Sequence, residues 1–400
     1  MISPEDLTME NFTYYAPTKV VFGRGVEEQA GSLAKAAGAH TVMVHYGSDR
    51  IQKTGLLDRV VAALKAANLK VVTLGGVVPN PELGLIRQGI ALARAQQVDF
   101  ILAIGGGSVI DSAKAIALGA LDDGDVWELY RHERRVDQAL PVGSVLTIAA
   151  AGSEMSNGSV VTNEQTHEKC DYVSDLLRPR FAILNPELTT SLPWYQTAAG
   201  CTDILMHTME RYFTPSSMAT TDAIAEALMK TVIAQTRKLQ ADPTNYAARA
   251  EVMWAGSLSH NDLTGVGDLN GGDWSTHMLE HEVSGMFGVT HGAGLAAIWG
   301  LWARLVYQHC LPRFVRFARA VWGIEGTDEE AVALAGIEAM ETFYREIGMP
   351  TSLGELGVHP TPAQIDQMVT QCLRATGGQS GTALVLKRPE MTKIYEMANH

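Results

Sequence analysis

What this 400-residue chain has little of narrows its class before any motif is read. Charged residues make up only 19% of it, and its formal net charge of -13 comes without a basic block. A nucleic-acid duplex or an anionic membrane surface, both of which are gripped by clustered Lys and Arg, is therefore not an expected partner. Its four cysteines, Cys170, Cys201, Cys310 and Cys372, are scattered with no C-x-x-C spacing. They read as buried thiols in a reducing compartment, not as a disulfide frame. No run approaches the ~20 apolar residues that span a bilayer. Met1 to Thr18 is polar and acidic and lacks an apolar signal-like core. The expectation is a cytoplasmic protein. No internal repeat or low-complexity segment is present, and an apolar content of 46% with so little charge argues against extensive disorder. The length suffices for two domains, each with its own core.

In the first half, short β-branched runs alternate with Ala- and Leu-rich helical stretches. The runs are Lys19 to Phe22, Thr41 to Tyr46, Leu69 to Leu74, Val98 to Ile104, Ser144 to Ile148 and Phe181 to Leu184. Between them, Gly55 to Ala67 and Pro81 to Gln96 place Leu or Ile on one helical face. Strands alternating with helices predict βαβ units and a largely parallel sheet. After Pro193 the pattern is helical throughout: Ile224, Leu228, Val232 and Leu239 share one face, and Thr361-Pro362 opens a later helix as cap and first residue. The predicted organisation is an α/β domain over residues 1–192 and a helical domain over 193–400.

The run Val98 to Ile104 leads directly into Gly105-Gly106-Gly107-Ser108 and then a helix containing Asp111, Ala113 and Lys114. Three glycines at a strand-to-helix turn let backbone N–H groups approach a pyrophosphate, and the helix N-terminus favours its charge. A dinucleotide fits there, although the G-x-G-x-x-G fingerprint is absent; the bland alternative is a tight turn needing positive φ. A second junction, Gly47-Ser48-Asp49-Arg50, follows Thr41 to Tyr46. At such a turn an acid grips a ribose 2′-hydroxyl, whereas Ser and Arg accommodate a 2′-phosphate, and both kinds are present.

Candidate metal ligands come in helical pairs. Asp203-x-x-x-His207 and His277-x-x-x-His281 each project two side chains from one helix face, and Thr290-His291-Gly292 follows. Asp203 sits in the apolar stretch Cys201 to His207, where a carboxylate without a cation is costly to bury. Neutral imidazoles with one carboxylate suit Fe²⁺ or Zn²⁺. Five candidates are one more than a four-ligand site with an open position needs, which leaves one histidine for catalysis. The other histidines, His45 and His260 among them, lack such spacing and read as structural or surface residues.

Taken together, Gly105-Gly-Gly-Ser-Val-Ile-Asp-Ser-Ala-Lys114, Asn185-Pro-Glu-Leu188, Asp203-x-x-x-His207 and His277-x-x-x-His281-x9-His291-Gly292 resemble the iron-containing alcohol dehydrogenase family over nearly the whole chain. Tyr46-Gly47 leading to Lys53-Thr54-Gly55, and Asp273 to His281, most resemble its butanol dehydrogenase and NADPH-dependent aldehyde reductase branch. The resemblance implies an N-terminal Rossmann-like domain and an all-α C-terminal domain, an architecture shared with dehydroquinate synthase. It implies Asp203, His207, His277 and His291 as metal ligands, with Fe²⁺ preferred to Zn²⁺, and His281 as the catalytic, non-ligating histidine near the nicotinamide. Gly105, Gly106, Gly107 and Ser108, with Asp111 beside them, would hold the pyrophosphate; Gly47, Ser48, Arg50, Thr147, Lys169, Leu188 and Ser191 fall at other cofactor positions.

Ser48-Asp49-Arg50 departs from the Gly-Gly-Ser common in that branch, and Ser48 stands where other members carry an NAD-selecting aspartate. NADPH is therefore expected over NADH, with NAD(H) still accepted and Asp49 tempering the preference. The expected activity is hydride transfer between NAD(P)(H) and a small aldehyde or primary alcohol, in a homodimer. A metal-dependent lyase or hydrolase on the same fold could use the same Asp/His set to activate water. A nucleotide sensor without catalysis is disfavoured, because it has no use for an open metal site.

Overall fold

The computed structural model describes residues 9–47, 49–268 and 270–400. Contacts divide the chain between Leu192 and Pro193. The first unit, Ala16–Leu192, contains β1 (Lys19–Phe22), β2 (Thr41–Tyr46), β3 (Lys70–Leu74), β4 (Phe100–Gly105), β5 (Val142–Leu146), β6 (Gly158–Asn163), β7 (Glu168–Val173) and β8 (Phe181–Leu184). Among these run α1 (Ala30–Ala36), α2 (Arg50–Lys53), α3 (Leu56–Ala66), α4 (Leu83–Ala95), α5 (Gly107–Ala120) and α6 (Val126–Tyr130). Six strands form one sheet in the order β1-β8-β5-β4-β2-β3, and every pairing in it is parallel. β4 and β5 are buried along their whole length, which is why they read as continuous apolar runs without alternation.

Chain direction explains where a ligand would sit. From β2 the chain moves outward to β3, then returns to place β4 on the other side of β2. Strand order therefore reverses between β2 and β4, and such switch points open a crevice at the carboxyl ends of the strands. Both glycine-containing junctions, after Tyr46 and after Gly105, lie at those ends.

Besides shifts of one or two residues at the ends of β3 and β4, the sequence reading differs from this unit at β5 and at the β6–β7 hairpin. β5 begins two residues earlier than expected, at Val142, and Gly143 lies within it because a Cβ there would come 2.5 Å from the Phe181 ring. The antiparallel hairpin β6–β7 was not anticipated. Its strands are short and polar, with only part of each buried, so they carry little hydrophobic signal; Asn163 supplies the turn by accepting the Gln165 N–H at 3.0 Å.

The second unit is helical: α7 (Trp194–Tyr212), α8 (Ala219–Ala241), α9 (Tyr246–Ser259), α10 (Ser275–Phe287), α11 (His291–Val306), α12 (Leu311–Trp322), α13 (Glu329–Glu346), α14 (Pro362–Ala375) and α15 (Arg388–Ala398). Thr361 caps α14 in a full capping box with Gln364, with Pro362 at its start. Residues 9–15 group with this unit, not with the α/β unit that 1–192 assigned them to. The Glu10 N–H donates to the Gly267 carbonyl at 3.0 Å. A backbone tie of this kind carries no sequence signal.

α7 is buried from Thr197 through Tyr212. Its hydroxyls turn inward by bonding their own helix, Thr202 to the Ala198 carbonyl and Thr208 to that of Ile204, both at 3.0 Å. α11 approaches α7 so closely that a Cβ on Gly292 would lie 2.0 Å from the Ala199 carbonyl oxygen. Among the described residues no helix is long and apolar enough to cross a membrane.

Candidate metal centre and nucleotide turn

Burial of α7 decides what its polar residues can do. Asp203 and His207 lie one turn apart on it, and the His207 Nδ1 is 2.9 Å from both the Asp203 carbonyl oxygen and its Oδ1. Across from them, α10 presents His277. Its backbone N–H and its Nδ1–H both donate to Glu210 Oε1, at 2.9 and 3.0 Å. One ligand atom from each of Asp203, His207 and His277 falls within 4.8 Å of the others. His291 opens α11; its Nδ1 bonds Glu280 and its Nε2 lies 3.9 Å from Asp203 Oδ1. The imidazole centroids of His277 and His291 are 5.4 Å apart, and those of His207 and His277 are 4.6 Å apart.

One atom tests whether a cation belongs here. His277 Nε2 is buried and has no hydrogen-bond partner. With Nδ1–H given to Glu210, Nε2 carries a lone pair, and leaving a buried acceptor unmet costs ~1–3 kcal/mol. Burial, and then the neighbouring His207, His291, His281 and His260, hold its basicity well below that of an ordinary histidine. It is therefore neutral at pH 7 with its lone pair available, which is the state a metal requires. The donor set of three imidazoles and one carboxylate fits a divalent transition ion.

His281, also on α10, stands slightly apart. Its centroid is 6.5 Å from that of His277 and 5.7 Å from that of His291, and its ligand atom groups with those of Glu280 and His291; His291 shares that second grouping and reaches the first through its Nε2, 3.9 Å from Asp203 Oδ1. Sequence spacing missed several neighbours. His260, read as structural or surface, has its ring 4.2 Å from that of His207. Its Nδ1 accepts from Arg211 at 3.1 Å, and Arg211 also donates to the His207 carbonyl at 3.2 Å. Trp274 caps α10 with φ of 61°, a left-handed conformation unusual for a bulky residue, and its indole lies 5.3 Å from His277 and 4.5 Å from the Arg211 guanidinium. Trp274 is thus beside the histidines, whereas Met206 on α7 is fully buried and Trp254 on α9 is exposed. Glu210 and Glu280 had a signal of a kind: each is an acid three residues after a ligating-type histidine on a helix that is otherwise buried.

In the α/β unit, β4 ends at Gly105 and α5 begins at Gly107. Gly106 is extended, with φ of -94°, so positive φ is not why glycine is there. Close approach is: a Cβ on Gly105 would be 2.4 Å from Val109, one on Gly106 3.1 Å from Ile148, and one on Gly107 3.2 Å from Ala151. The turn leaves the first amides of α5, including those of Gly107 and Ser108, without an intrahelical partner. Beside it, the Thr147 N–H donates to the Gly105 carbonyl at 3.0 Å, and Arg50 donates to Ser191 Oγ at 3.2 Å and toward the Thr147 carbonyl at 3.5 Å. Gly47, Arg50, Thr147, Ser191 and the glycine turn thus share the carboxyl ends of β2, β4 and β5. Ser48 lies outside the described residues. Leu188 packs on the sheet core, and Lys169 is buried in β7.

Asp111, expected beside the pyrophosphate, makes its bonds within the α/β unit. Its carboxylate accepts the Ser153 hydroxyl at 2.6 Å and the Val160 N–H at 3.2 Å, joining α5 to β6 and the loop before it. Lys114 does the same work with opposite charge, donating to the carbonyls of Ser153 and Gly158 at 2.7 Å and of Ser156 at 3.0 Å. Burial pulls its ammonium down to about 8.

Residues 17–186 match the family model of the iron-containing alcohol dehydrogenases, and residues 197–399 match the C-terminal model of the same family. The chain belongs to the iron-containing alcohol dehydrogenase family. It is 37% identical over 391 residues to NADH-dependent butanol dehydrogenase A of Clostridium acetobutylicum, covering 97% of this chain and 99% of that one. To the NADPH-dependent aldehyde reductase of Escherichia coli it is 35% identical over 398 residues, covering 98% and 100%. The crystal structure of an NADH-dependent butanol dehydrogenase A from Thermotoga maritima superposes with a TM-score of 0.94 at 37% identity, covering 98% of this chain and 99% of that one. The likeness spans both units of this family member, so both the nucleotide turn and the histidine cluster fall within it.

Proposed function

We propose that this chain reduces small aldehydes to primary alcohols, and runs the reverse oxidation, with NADPH preferred over NADH and one Fe²⁺ held by Asp203, His207, His277 and His291. Membership of the family makes it an NAD(P)-dependent, metal-dependent alcohol dehydrogenase or aldehyde reductase. When bound, the metal supplies a Lewis acid for the carbonyl oxygen and the nicotinamide supplies the hydride. The observation that carries the ligand set is the buried, partnerless Nε2 of His277, on a residue that offers one ligand atom within 4.8 Å of those of Asp203 and His207.

The residues divide the remaining work. Glu210 holds His277 in the tautomer that exposes its lone pair, while the Asp203 carbonyl does so for His207. His281, beside the cluster with its ring centroid 5.7 Å from that of His291, delivers the proton that completes the alcohol, a role imidazole suits as a general acid. Gly105, Gly106, Gly107 and Ser108 receive the pyrophosphate on the N-terminus of α5. Arg50 places a cation beside them; with Ser and not an acid at position 48, the repulsion a 2′-phosphate meets is limited to that of the neighbouring Asp49. Relatives on both sides of the cofactor choice are similar to this chain, an NADH-dependent butanol dehydrogenase and an NADPH-dependent aldehyde reductase.

The test is metal analysis of the purified protein, then loss of reduced-nicotinamide absorbance with butanal and either cofactor. Turnover with NADPH exceeding that with NADH supports the reading; a metal-replete protein that oxidises neither cofactor across linear aldehydes refutes it. The expected homodimer is checked by light scattering, where twice the chain mass is the outcome.

A further inference from the structure

We propose that Glu280 is the positioning residue of His291 and thereby sets how long the metal stays bound. This rests on reading Asp203, His207, His277 and His291 as one ligand set. Within that set His291 differs from the rest. Its side chain is 24% exposed, against 6% for both Asp203 and His207 and 4% for His277. It also sits at the first position of its helix, whereas the other three lie inside α7 and α10. A ligand at the wet end of a site, on the fraying end of a helix, is the one whose departure begins metal loss.

Glu280 counters that. Its carboxylate accepts from His291 Nδ1, so the His291 Nε2 keeps its lone pair toward Asp203. The carboxylate is itself held: Ser284 Oγ donates to its other oxygen, and its side chain is fully buried. α11 is shaped to admit it, because a Cβ on Gly294 would come 2.6 Å from Glu280 Oε1 and 2.9 Å from its Cγ. The glycine three residues beyond the ligand thus makes room for the acid that orients the ligand. Carboxylate–histidine pairs of this kind fix the tautomer and raise the basicity of the coordinating nitrogen, and losing the partner costs 10–100-fold in metal affinity.

The experiment loads full-length wild type, Glu280→Ala, Glu280→Gln and Gly294→Ala with Co²⁺, records the visible spectrum, and follows metal loss to excess chelator; Asp203→Ala serves as control. Glu280→Ala should release the ion ~10–100-fold faster, with a weaker visible band as water replaces His291. Glu280→Gln, whose amide oxygen still accepts Nδ1–H, should fall between it and wild type. Gly294→Ala deletes no polar group and improves helix propensity, yet should also hasten release by displacing the carboxylate. Wild-type release from both Glu280→Ala and Gly294→Ala, with metal lost from Asp203→Ala, overturns this inference alone. An absorption-edge or diffraction result placing a Glu280 oxygen on the ion also overturns it. Retention of the ion by Asp203→Ala would instead overturn the ligand set beneath it.

Discussion

Gly292→Ala tests whether helix packing, and not only ligand identity, builds the centre. The added methyl would lie 2.0 Å from the Ala199 carbonyl oxygen, 2.7 Å from its carbon and 3.1 Å from Cα, where real Cβ contacts keep at least 3.0 Å. The atoms it meets are backbone in the middle of buried α7, so they cannot swing aside. The start of α11 must therefore back away by about 1 Å. His291 is the adjoining residue, and the 3.9 Å gap from its Nε2 to Asp203 Oδ1 widens by a similar amount. A ligand misplaced by ~1 Å costs on the order of 10²-fold in rate. Nothing in the substitution removes a donor, and Ala is intrinsically better than Gly in a helix by ~1 kcal/mol. The expected outcome is a folded protein with unchanged far-ultraviolet circular dichroism, reduced metal content after dialysis and kcat/KM for butanal lower by ~10². Full metal content with wild-type kcat/KM would refute the claim that the α7–α11 approach sets the site.

Other substitutions separate the roles assigned above. His281→Ala should retain the metal while turnover slows by ~10² or more, the size of lost acid–base help; loss of metal instead would put His281 among the ligands. Ser48→Asp should raise KM for NADPH more than for NADH, since only the former meets a like charge at its 2′-phosphate; equal effects would remove this turn from the adenosine ribose. His45 offers a stability test. Its Nδ1 bonds the Leu74 carbonyl at 2.9 Å and its Nε2 bonds Ser112 Oγ at 2.8 Å, and burial lowers its pKa from 6.5 to about 4. The unfolded chain then binds the extra proton first, so this contribution is intact above pH 6.5 and is lost as pH falls toward 4, by about 3 kcal/mol. Urea unfolding of wild type and His45→Gln across that window should show the steeper acid loss in wild type; identical slopes would refute it.

How much of this was legible in the sequence depends on whether the signal was local. β4 and β8 announce themselves as apolar runs, and the ligand pairs on α7 and α10 as i, i+4 spacing, because each is a pattern within one element. The hairpin β6–β7 was not legible, since its strands alternate around polar residues and gain their burial from α5 beneath. His260 was missed for a related reason: it follows α9, and only tertiary packing sets its ring against His207. Glu210 and Glu280 look like ordinary helical acids on charge grounds. Gly292 and Gly294 look like weak points in a helix until the carbonyl of Ala199 and the carboxylate of Glu280 are seen where their side chains would be.

The helix α7 shows why such a site demands a cation. Asp203, His207 and Glu210 fall at i, i+4 and i+7, the spacing by which a helix ordinarily presents its apolar stripe to a core. Here that stripe is polar and still buried. α10 answers with His277, His281 and Glu280, buried as well. Hydrogen bonds satisfy much of this polarity, with each glutamate taking the Nδ1 of one histidine. They cannot satisfy the inward nitrogen of His277, which faces no donor. An isolated buried charge costs several kcal/mol, and burial, with Asp273 nearby, pushes the Glu210 carboxyl well above its ordinary range, so acids buried here gain from a countercharge. A divalent ion meets both demands at once, as an electron-pair acceptor for the nitrogen and as the countercharge for the acids.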